Sequence, residues 1–134
     1  MIPVLVLTHG DLATELLAAA REIDADLEQS TRALALPWDI DSDEASRQLK
    51  KALRELDEGQ GVIVLTDMFG GTATNLALPQ MKAGRVEIVT GVNLPMLVKL
   101  TSLRRQGLEP RDFALRLRDA GQKSIRVASE FLRR

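Results

Sequence analysis

Hydrophobic positions along this chain switch between two periods. Short apolar runs rich in β-branched residues occur at Ile2–Thr8 (IPVLVLT), Thr31–Leu36 (TRALAL), Val62–Thr66 (VIVLT) and Val86–Thr90 (VEIVT), and each has the length and composition of a strand. Between them the spacing becomes helical. Leu12, Leu16, Ala19, Ala20 and Ile23 recur at three- and four-residue intervals, with Asp11 as the expected N-cap. Ala45, Leu49, Ala52, Leu53 and Leu56 form a second apolar stripe, with Ser42 or Asp43 as its cap and Gly59 and Gly61 beyond its end. A glycine turn, Asp67–Thr72, leads into a predicted helix of about ten residues, which Pro79 kinks or ends early. Further helices are expected from about Pro95 to Arg105 and over Pro110–Ala120. Lys123–Ser129 (KSIRVAS) fits a half-buried strand, because Ile125 and Val127 alternate with charge, and fits equally a terminal helix running through Phe131 and Leu132.

Strand alternating with helix implies right-handed crossovers and a doubly wound, mostly parallel sheet. The uninterrupted apolar run at Val62–Thr66 is what a strand covered by helices on both faces requires. With 134 residues, no repeat and no linker-like stretch, the chain reads as one domain over 1–134. In such sheets ligands bind beyond the carboxyl ends of the strands, where strand order reverses. Four segments fall there: His9–Asp11, Pro37–Asp39, Asp67–Thr72 and Gly91–Pro95.

Composition narrows the chemistry. There is no cysteine and only one histidine, which removes disulfides, thiolate metal sites and multi-histidine zinc sites, so no metal is expected. Aromatic content is 3 % with no tyrosine, a poor basis for base stacking, and nucleic-acid binding is not expected. No apolar run approaches the roughly 20 residues that span a bilayer, and the apolar start is too short for a secretory signal. The expectation is a soluble, cytoplasmic protein without membrane insertion. Residues 11–58 hold 13 acids against 6 bases, while residues 99–134 hold 10 bases against 4 acids. That asymmetry reads first as two solvated helical faces, and second as steering of different partners.

Chemistry concentrates at the first of the four segments. His9 ends one predicted strand and Gly10 opens the way to a helix, so its imidazole is exposed beside N–H groups aimed at any anion it carries. This placement suits a nucleophile that holds a phosphoryl group, against the plainer alternative of a surface histidine without a task. If the strand order is 2-1-3-4, Asp67 flanks the same crevice. A carboxylate there fixes the imidazole tautomer and frees the other nitrogen to attack, or it simply caps the following helix. Gly70, Gly71 and Thr72 form a donor-rich turn that an anion can approach closely, and no lysine follows them as in a nucleotide P-loop. Asn93 and Trp38 are candidate crevice walls, with loop packing first and a partner contact second as the competing roles for Trp38. Asp39, Asp41, Asp43 and Glu44 read as a solvated helix start, and Arg104–Arg105 and Arg116–Arg118 as helix-surface charge.

Three motifs now stand in order. They are Leu7-Thr8-His9-Gly10 with Leu16-Leu17, Thr66-Asp67-Met68-Phe69-Gly70-Gly71-Thr72 with Asn75, and Thr90-Gly91-Val92-Asn93-Leu94-Pro95-Met96-Leu97. Together they resemble the enzyme IIA components of the mannose family of the sugar phosphotransferase system, over essentially the whole chain. The resemblance implies a phosphorelay. His9 would take a phosphoryl group from the phosphorylated histidine phosphocarrier protein and pass it to an enzyme IIB component, with Asp67 as its orienting carboxylate. Gly10 and the Gly70–Thr72 turn would bind the phosphoryl group, without a cofactor.

The resemblance also implies a last strand that runs antiparallel and is exchanged across a homodimer, which favours the strand reading of Lys123–Ser129. Ala73 stands where the family often has proline, a substitution the turn is expected to survive. With one histidine and an end at 134, no IIB domain is expected in this chain. Partner docking around His9 calls for a flat, moderately apolar rim, for which Met68, Phe69, Leu94 and Met96 are candidates. The rival readings are the phosphotransfer subunit of dihydroxyacetone kinase and a regulatory module whose phosphorylation state controls partner binding.

Overall fold

Residue parity along the strands divides the core in two. The computed structural model describes residues 1–132. Its strands are β1 (Val4–His9), β2 (Thr31–Leu36), β3 (Val62–Thr66) and β4 (Val86–Thr90). They pair in the order β2-β1-β3-β4, and all three pairings are parallel. Successive side chains point to opposite faces. Val4, Val6, Ile63, Leu65 and Val89 therefore join one apolar cluster, and Leu5, Leu7, Val62, Val64 and Val86 join the other.

Each cluster is closed by its own helices. The first contains Ala13 and Ala20 from α1 (Leu12–Ile23), Met96 and Leu97 from α4 (Leu94–Val98), Leu100 and Leu103 from α5 (Leu100–Arg104), and Phe113 and Leu117 from α6 (Pro110–Lys123). The second contains Ala45, Leu49 and Leu53 from α2 (Ser42–Leu56), and Ala73 and Ala77 from α3 (Thr72–Ala77). Helices on both faces of a parallel sheet make the doubly wound arrangement, and they explain why every residue of β3 is buried.

Local chemistry corrects several boundaries. Asp11 occupies the N-cap position of α1 without a side-chain cap bond; instead Thr8 Oγ1 accepts the Ala13 N–H at 2.7 Å. Thr8 lies on the α1 side of β1 by parity and reaches the orphan first-turn donor directly. On α2 the cap is Asp41 rather than Ser42 or Asp43, its carboxylate accepting from the Asp43 and Glu44 N–H groups. Pro79 falls in a 3₁₀ turn after α3, which spans six residues rather than about ten. The helix expected from about Pro95 to Arg105 is two short helices that meet at Lys99. Arg104 is half-buried rather than a freely solvated charge: its guanidinium donates to the carbonyls of Ile2, Gln29 and Ser30. Burial pushes its pKa below the usual arginine value.

The antiparallel strand expected at Lys123–Ser129 does not form within a single chain. Helix α6 runs to Lys123, and Ala128–Phe131 forms the short helix α7. An isolated strand would leave its backbone groups without partners, whereas here the N–H groups of Glu130 and Phe131 both donate to the Val127 carbonyl. Ile125, Val127, Phe131 and Leu132 are left exposed. No helix among the described residues is long and apolar enough to cross a membrane.

Candidate functional site

His9 is the last residue of β1, and Asp67 immediately follows β3. Because those strands are neighbours, the two side chains meet at the carboxyl end of the sheet. His9 Nδ1 lies 3.3 Å from Asp67 Oδ2, and the His9 backbone N–H donates to the same oxygen at 3.3 Å. Asp67 Oδ1 accepts the Met68 N–H at 2.9 Å, which fixes the carboxylate from its other side. A carboxylate only accepts, so Nδ1 is the donor, and in the neutral imidazole Nε2 keeps its lone pair. Both side chains are 15 % exposed, enough for one edge of the imidazole to face solvent.

The turn after Asp67 is held from below by two buried threonines. Thr74 Oγ1 donates to the Met68 carbonyl at 2.6 Å and lies 2.7 Å from Thr66 Oγ1 on β3. Gly70 sits at φ +84°, and Gly71 is the N-cap residue of α3. Thr72 opens that helix with its side chain exposed. The turn therefore lies three to five residues beyond the orienting carboxylate, at the same end of the sheet as His9. Gly10 sits at φ +55° and donates its N–H to the Leu36 carbonyl at 2.8 Å. The left-handed φ favours glycine, and a Cβ there would come within 2.9 Å of Trp38 Nε1 and displace the indole.

Trp38 takes a more particular place than a crevice wall, loop packing or a partner contact. Its indole stacks on the His9 imidazole, with centroids 4.9 Å apart and planes 12° from parallel. The register of β1 on β2 puts His9 opposite Leu36, so a residue two positions past Leu36 can turn back over the histidine. Asn93 sits elsewhere: Oδ1 accepts the Met96 N–H at 3.0 Å to cap α4, and Nδ2 donates to the Gly121 carbonyl at 3.2 Å. It follows β4, two strands away from His9, and lines a cavity of about 610 Å³ beside that strand. Of the expected rim, Met68 and Phe69 are exposed, Leu94 is half-buried and Met96 is core. Among the described residues no group of three or more His, Asp or Glu side chains could hold a metal ion.

Fold and site together define a doubly wound α/β protein with a carboxylate-oriented histidine at the switch of strand order. The family model described as "PTS system fructose IIA component" matches residues 3–114, and the chain belongs to that family. It is 32 % identical to the PTS system fructose-specific EIIA component of Bacillus subtilis (strain 168), over 98 % of this chain and 90 % of that protein. Among solved structures, the PTS IIA protein associated with the fucose utilization operon of Streptococcus pneumoniae is 31 % identical. It superposes with a TM-score of 0.83 over 98 % of this chain and 96 % of that one. The mannose/sorbose-specific IIA subunit from Enterococcus faecalis, 24 % identical over 95 % of each chain with a TM-score of 0.82, shares the fold. Family membership carries a broad role in phosphoryl relay for sugar transport.

Proposed function

We propose that this chain is a phosphohistidine carrier whose His9 accepts a phosphoryl group from the phosphorylated histidine phosphocarrier protein and passes it to an enzyme IIB component. The observation that supports it most directly is the 3.3 Å contact between His9 Nδ1 and Asp67 Oδ2. It leaves Nε2 as the nucleophile, and positioning is most of what such a transfer asks of a protein. On this reading the phosphoryl oxygens find their donors in the turn after Asp67, at Gly70 and Thr72, with Gly10 and Gly71 shaping the backbone around them, since their own N–H groups donate to the Leu36 and Met68 carbonyls. Exposed Trp38, Met68 and Phe69 supply an apolar rim against which donor and acceptor dock in turn. The relatives' names span fructose, a fucose operon and mannose or sorbose, which fits a carrier whose own site handles only the phosphoryl group.

Incubation with phosphoenolpyruvate, enzyme I and the phosphocarrier is expected to give an acid-labile label on this chain, which a IIB component then removes. A chain that takes no label overturns the relay. A chain that takes label and keeps it in the presence of IIB is instead a regulatory module.

The working form is, on this reading, a homodimer that exchanges its C-terminal segments. Among the described residues the outer edge of β4 carries only the single antiparallel bridge from Lys82 to Val86 and no paired strand. The cavity beside it is lined by Ile88, Val89, Met81 and Leu115 and reached by the chain's own Ile125, and in an exchanged partner segment the alternating Ile125 and Val127, both exposed here, are suited to such a groove. Sedimentation is expected to show a dimer, and truncation after Lys123 is expected to return a monomer. A full-length monomer at micromolar concentration would remove the exchange.

A further inference from the structure

We infer that Trp38 is a positioning residue for His9, holding the imidazole by its face and stabilising the positive charge the ring acquires when it is phosphorylated. The inference rests on the relay reading and adds to it a residue that acts through the histidine ring. Its basis is geometric. Asp67 holds one edge of the imidazole through Nδ1, which leaves the ring free to rock about that contact. The indole lies nearly parallel to the ring, at 12° and 4.9 Å, an offset stack that removes this freedom. Trp38 in turn rests against Gly10, close enough that a Cβ at that position would lie 2.9 Å from the indole nitrogen. Yet 79 % of Trp38 is exposed, more than a side chain retained for core packing would be.

The direction of the stack matters to the chemistry. The Nε2 lone pair lies in the imidazole plane, so attack and departure both run along the ring edge. An indole over the face therefore leaves the reaction axis open. In the transfer, Nε2 gives its electron pair to phosphorus while the donor's P–N bond breaks and that pair returns to the donor nitrogen. Nδ1 keeps its proton against Asp67, and the imidazole ring becomes cationic. A cation against the face of tryptophan, the strongest of the aromatic partners, is favourable.

Phosphoramidate is the useful probe, because it delivers a phosphoryl group and releases ammonia without needing a docking surface. Trp38→Ala is expected to react with it about fivefold more slowly than wild type. Trp38→Phe, which keeps a stacking face, should stay within about twofold. Since Trp38 is the only tryptophan, its emission is expected to change with the same time course as the phosphohistidine signal in phosphorus NMR. In His9→Ala that emission change should be absent.

A Trp38→Ala protein that reacts with phosphoramidate at the wild-type rate overturns the inference. So does a defect seen only with the phosphocarrier as donor, which makes Trp38 a docking contact, or a defect that phenylalanine does not relieve. A wild-type chain that reacts with phosphoramidate but never with the phosphocarrier defeats the relay reading and leaves the stacking role standing.

Discussion

Replacing His9 with alanine is expected to abolish phosphoryl uptake from the phosphocarrier while leaving the domain folded. His9 is the only histidine, so an acid-labile phosphoramidate bond has no other imidazole on which to form. Other nucleophiles at this end of the sheet are the carboxylate of Asp67 and the hydroxyl of Thr72, and neither forms an N–P bond. The side chain lies at the last residue of β1, outside both apolar clusters, so its loss opens no core cavity of the kind that costs several kcal/mol. Labelled phosphoenolpyruvate with enzyme I and the phosphocarrier, read on acid- and base-treated gels, measures the outcome. Circular dichroism and urea unfolding check the fold. Label retained by His9→Ala would end the assignment of the site.

Asp67→Asn is expected to slow transfer on the order of ten-thousandfold, the scale seen when an orienting carboxylate beside a catalytic imidazole is neutralised. Asp67 Oδ2 accepts two hydrogen bonds from His9, one from its N–H and one from Nδ1. An asparagine keeps the volume, but its NH₂ group can turn toward Nδ1 and donate. The imidazole then shifts its proton to Nε2, and the nitrogen that should attack loses its lone pair. The negative charge facing the cationic phosphoimidazole is lost as well. Stopped-flow or quench measurement of the single-turnover rate tests this, with thermal unfolding as the control. An unchanged rate would reduce Asp67 to a cap for the turn that follows it.

The meeting of His9 and Asp67 was legible before any coordinates. Four strand-like runs separated by helical periods specify a parallel sheet, and the order 2-1-3-4 brings the ends of β1 and β3 side by side. Both residues sit at strand ends, where a one-residue error in a boundary does not move them to another part of the molecule. The three motifs added specificity that periodicity lacks. Trp38 was harder. Its contact with His9 depends on the register of β1 against β2 and on the path of a two-residue excursion after Leu36, and neither leaves a mark in local spacing. Asn93 was placed near the crevice because it follows β4, but its amide is engaged by α4 and α6 on the far side of β3.

Strand and helix periods, the division of the core by residue parity and the location of the sole histidine were determined by the sequence alone. Each follows from interactions between residues near in the chain or from the alternation of side chains along a strand. Tertiary structure decided which polar groups meet at the strand and helix ends. There Thr8 rather than Asp11 satisfies α1, Arg104 gathers three carbonyls from the chain start and the β2 entry, and the C-terminal segment turns into α7 rather than adding a strand to the sheet. The carboxylate at His9 could be anticipated because neighbouring strands carry it. The indole over its face could not, because only the folded register places Trp38 there.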